Sequence, residues 1–113
     1  NFERAAEMYH QGARDGDILA SFNYGYCLWR GIGVEKNEQE AVKWYRLAAG
    51  QGNAAAMTNL GVCYRQGEGV EADTLMAFDY LYRAADKGYS VACNEVGDCF
   101  FFGNHAFLSP LNP

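Results

Sequence analysis

Proline is nearly missing from this sequence. The 113 residues contain two, Pro110 and Pro113, so nothing before the last four positions breaks a helix by that route. Also missing is any apolar run near the ~20 residues that a membrane-spanning helix needs, or a basic segment leading into a hydrophobic stretch of the kind that signals secretion. Membrane insertion is therefore not expected. Runs of like charge are short, and 14 acidic against nine basic residues give a net charge of −5, which argues against nucleic acid as a partner. Histidine is confined to His10 and His105, which offer neither paired ligands for zinc nor a neighbouring base for a serine or cysteine nucleophile. No catalytic residue, metal or cofactor is expected. The opening at Asn1 rather than at a methionine suggests a piece of a longer chain.

What the sequence does contain is half hydrophobic residues and an internal repeat. At this length one domain is the expectation. Sliding the chain by 36 residues aligns Ala5 with Ala41 and Ala77, Ala13 with Ala49 and Ala85, and Gly25 with Gly61 and Gly97. Cys27, Cys63 and Cys99 fall into the same register, as do Gly31, Gly67 and Gly103. A period of this length marks a stacked array in which no unit can bury its own apolar face. The chain divides into a partial repeat over 1–16, repeats over 17–52 and 53–88, and an incomplete one over 89–113.

Within a period Ala41, Trp44, Tyr45, Ala48 and Ala49 recur at i, i+3, i+4, i+7 and i+8, one stripe of an α-helix. These second, or B, helices are predicted over 37–49 and 73–86, with the first 14 residues a truncated copy. Asn37 and Asp73 are placed to cap them, Glu40 standing at the capping-box position. The first, or A, helices are predicted over 17–30, 53–66 and 89–102, closed by Gly31, Gly67 and Gly103. Gly25, Gly61 and Gly97 then mark where helices A and B approach closely.

The sequence Asn59-Leu60-Gly61 followed by Tyr64, Gly67, Gly69-Val70 and Asp73 resembles the Sel1-like repeat, and Ala41, Trp44-Tyr45, Ala48-Ala49 and Gly52 continue the likeness. The resemblance implies an all-α fold, a right-handed superhelical solenoid of antiparallel helix pairs. It also implies adaptor or scaffold work through another protein, a peptide or helix seated in the concave groove. The pattern departs at Gly103-Asn104-His105, where a Gly-x-Gly-Val loop is expected.

Two other readings compete. Cysteine-rich relatives have been linked to β-lactamase-like hydrolysis, but they carry paired cysteines in each repeat, whereas this chain has one per repeat plus Cys93. Equivalent cysteines on neighbouring A helices stand about one interhelical spacing of ~8–10 Å apart, beyond the ~4.4–6.8 Å Cα separation of a disulfide. They read as buried, reduced thiols, which fits a cytoplasmic compartment. The other reading is a structural spacer between domains. The paired loop glycines follow helices, not strands, so they read as turn glycines rather than a phosphate cradle.

With Tyr24, Leu28, Leu60 and Tyr64 assigned to the core, the remaining A-helix positions form the expected partner site. By similarity to related helical repeats, the concave face carries Leu19, Phe22, Tyr26, Trp29 and Arg30, then Thr58, Val62, Arg65 and Gln66, then Asn94, Asp98, Phe101 and Phe102. Trp29 and Arg65 share one register position and, with Tyr26, are expected at the centre, because aromatic and arginine side chains dominate binding hot spots. Glu68, in the loop, is expected to face solvent.

Overall fold

The computed structural model describes residues 1–88, and these form five helices of 13 residues each: α1 (Phe2–Arg14), α2 (Ile18–Arg30), α3 (Glu38–Gly50), α4 (Ala54–Gln66) and α5 (Thr74–Asp86). There are no strands among the described residues. Each helix packs against its neighbours in sequence, so α1, α3 and α5 are the B helices and α2 and α4 the A helices of an all-α helical solenoid. The third A helix expected over 89–102 lies outside the described residues, as do Cys93, Gly97, Cys99 and Gly103.

Local chemistry sets the helix ends identically in successive repeats. Asp17, Asn53, Asn37 and Asp73 each accept a bond from the backbone N–H three residues on. At the other end Gly31 and Gly67 adopt left-handed φ values of 72° and 73°, which L side chains resist. The Cys27 and Cys63 carbonyls each accept two backbone N–H groups there, from Gly31 and Ile32 and from Gly67 and Glu68. The capping box expected at Glu40 is not formed. The Asn37 N–H donates instead to the Leu28 carbonyl at 2.8 Å, and the Glu40 carboxylate accepts from the Trp44 indole at 3.3 Å.

Packing explains both classes of repeated glycine. A Cβ at Gly25 would sit 3.0 Å from the Tyr45 ring, and one at Gly61 would sit 2.7 Å from Leu81 Cγ and 3.1 Å from the Ala77 carbonyl. These are the A–B approaches within a repeat. The second loop glycine serves the stacking of repeats, because a Cβ at Gly33 would strike the Phe2 carbonyl, and one at Gly69 the Glu38 carbonyl, each in the first turn of the preceding B helix. The core between the layers is formed by Ala41, Tyr45, Ala48, Ala56, Leu60, Cys63 and Ala77, with Tyr24, Leu28 and Tyr64 beside them as expected.

Candidate partner-binding face

The A helices place the expected site residues, but not all of them on the surface. On α2, Leu19 is 61% and Tyr26 41% exposed, Arg30 is exposed, and Phe22 is half-buried. Their rings form one connected group around a buried centre. Phe22 and Trp29 both pack on Tyr45, with ring centroids 5.9 and 6.0 Å away, and Tyr26 meets Trp29 edge-on at 6.3 Å. The Arg30 guanidinium lies 4.2 Å over the Trp29 ring.

Trp29 itself is only 5% exposed, which corrects its assignment as an exposed anchor. It stands in the last turn of α2, where the loop of the following repeat closes over it, and its indole donates to Glu68 at 3.1 Å. That bond also corrects Glu68, which is half-buried rather than free in the loop. With its amide nitrogen turned to the carboxylate, Gln66 donates to the two Glu68 oxygens at 3.3 and 3.1 Å.

On α4, Thr58 is 2% exposed, a third correction. Its hydroxyl donates to the Ala54 carbonyl one turn back, at 3.0 Å, so the polar group is satisfied locally and the residue can be buried. Val62 is half-buried against the core, while Arg65 and Gln66 are exposed. Asn94, Asp98 and Phe101 lie outside the described residues. Thus Tyr26 and Arg30 both contact Trp29, Phe22 joins them through Tyr45, and Thr58 is turned onto its own helix.

Beneath this face Asn59 donates its side-chain amide to the Tyr45 hydroxyl at 3.3 Å. Burial raises the Tyr45 pKa above the usual phenol value, partly offset by that bond. Burial also pushes the Cys63 thiol up to about 12, with Glu68 and Glu38 adding to the effect and Arg30 opposing it. Cys27 is likewise raised by burial. Both cysteines are unpaired and buried, so near neutral pH they stay thiols and act as packing groups.

The opposite side of α2 carries a second aromatic cluster. His10 stacks on Tyr24 at 4.3 Å, and Trp44 meets both rings edge-on. Beside this cluster an open cavity of about 490 Å³ is lined by Glu3, Glu7, His10, Tyr24 and Val34 among others, and a second of about 450 Å³ lies along α3 at Lys43, Trp44 and Leu47. The register gave a hint, since Met8, Trp44 and Tyr80 share one position.

Among the described residues there is no group of three or more potential metal-ligating side chains, and no helix long and apolar enough to cross a membrane.

Comparison with known proteins places this geometry in context. The model of the Sel1 repeat matches residues 1–17, 18–53, 54–89 and 90–112. Among solved structures, c5321, a protective antigen present in uropathogenic Escherichia coli strains, is 34% identical over 88% of this chain with a TM-score of 0.85. A Sel1 repeat protein from Oxalobacter formigenes is 36% identical over 92% of this chain, with a TM-score of 0.82. This chain spans 21% of the first of those proteins and 43% of the second. Helicobacter pylori cysteine rich protein B shares the fold at 20% identity, with a TM-score of 0.76 over 83% of this chain and 71% of its own. A search of curated protein sequences finds no match.

Proposed function

We propose that this chain, which belongs to the Sel1 repeat family, is a protein-interaction scaffold that receives a peptide or helix from a partner in the groove along its A helices. Sel1 repeat proteins are in general interaction scaffolds and typically not enzymes. The observation that carries the choice of face is Tyr26. Its ring is 41% exposed, yet it is braced edge-on against a Trp29 that is itself fixed by Tyr45 and Glu68. A rigid amphipathic ring loses little entropy when a partner covers it, whereas a free flexible side chain of equal area loses more. Leu19 and the half-buried Phe22 and Val62 extend the apolar surface, and Arg30, Arg65 and Gln66 give it a polar margin.

Once a partner has been isolated with the full protein, Tyr26→Ala is expected to weaken binding by about 2 kcal/mol, roughly 30-fold, because truncating a central aromatic anchor costs that much. Melting should change little. Binding indistinguishable from the parent would move the site off this face.

A further inference from the structure

We infer that Arg30 is a carboxylate anchor on the A-helix face, so that the partner segment is acidic and sets an aspartate or glutamate side chain opposite it. The inference rests on the proposed use of this face and names the partner's chemistry. Three observations lead to it. The guanidinium is exposed but not loose, held 4.2 Å over an indole that is itself buried and hydrogen-bonded. An arginine laid on an aromatic ring keeps the N–H fork that matches a carboxylate, and its position is set before a ligand arrives.

The two carboxylates that act with Arg30 on the Cys63 thiol have donors elsewhere. Glu68 accepts from Trp29 and Gln66, and Glu38 pairs with Lys36 at 3.6 Å. Among the described residues Arg30 makes no ion pair. Finally, Tyr26 lies one turn back on the same helix, against the same indole, so a segment crossing α2 meets an apolar ring and a charged fork together.

A random peptide library displayed with its C-termini fused to a coat protein, selected on the 113-residue chain, tests this, since any carboxylate enriched there belongs to a side chain. The expected peptides share an Asp or Glu at one fixed position. Changing it to Asn or Gln should weaken binding about tenfold or more, as should Arg30→Gln, because a hydrogen bond between charged groups is lost. The two changes combined should cost little more than either alone, a coupling that a purely structural role for Arg30 would not give. Arg30→Lys, which keeps the charge but not the fork, should fall between.

Peptides that need Tyr26 but tolerate Arg30→Gln overturn the anchor and leave the face standing. Peptides that need Arg30 but ignore Tyr26 keep the anchor and remove the aromatic reading. Peptides insensitive to both substitutions, or no enrichment at all, overturn both.

Discussion

Replacing Gly61 with leucine is expected to unfold the chain or lower its melting temperature by on the order of 10–20 °C. A Cβ at that position would already lie 2.7 Å from Leu81 Cγ and 3.1 Å from the Ala77 carbonyl, and Leu81 is itself fully buried. The remaining three carbons of the leucine have nowhere to go unless α4 and α5 separate. Overpacking a filled core costs ~1–3 kcal/mol and occasionally more, and each kcal/mol shifts the melting point of a domain this size by roughly 4–8 °C. Gly50→Leu is a suitable control, because it puts the same side chain at the end of α3 with no heavy atom within 4 Å of the new Cβ. Thermal unfolding followed by circular dichroism should separate the two. Equal midpoints for the Gly61 variant and the parent would contradict the close A–B contact.

The second large effect is expected at Trp29. Trp29→Ala removes a ring that packs on Tyr45, supports Arg30 and Tyr26, and binds the next repeat through Glu68. Deleting a buried tryptophan costs about 3–5 kcal/mol, so a fall in melting temperature of on the order of 15 °C or more is expected. Glu68→Leu should also destabilise, because it orphans the indole N–H, and a buried unsatisfied donor costs ~1–3 kcal/mol. Trp29→Phe, which keeps a ring and loses the bond, should lie between the parent and Trp29→Ala. A Trp29→Ala protein that melts within a few degrees of the parent would return the residue to the surface.

Trp29 also marks the limit of what could be read from sequence. The stripe of Ala41, Trp44 and Tyr45, the N-caps and the C-cap glycines located the helices because each is a local signal carried by neighbouring residues. Gly25 and Gly61 were legible as close contacts because a side chain absent from the same mid-helix place in each repeat leaves room for a neighbouring helix and for little else. The face was legible only in part. Aligning Trp29 with Arg65 shows that they occupy one place in successive repeats, but not what sits across from that place. For Trp29 the answer is Glu68, 39 residues away and so one period plus three, a long-range contact that no local pattern announces. Thr58 failed differently, since a hydroxyl bonded to the carbonyl one turn back is as compatible with burial as an apolar group. The His10, Tyr24 and Trp44 cluster was missed because its members come from three helices.

Those B-side aromatics make a fair rival surface, and exposure alone does not choose between the sides. Tyr26 on α2 is 41% exposed and Leu47 on α3 is 45% exposed, which makes them a matched pair. Benzoylphenylalanine placed at one or the other position of the full protein, followed by irradiation with the isolated partner, compares the A-helix and B-helix faces directly. A discrete adduct at position 26 and none at position 47 is the expected result, whereas adducts at position 47 alone would contradict partner binding on the A-helix face.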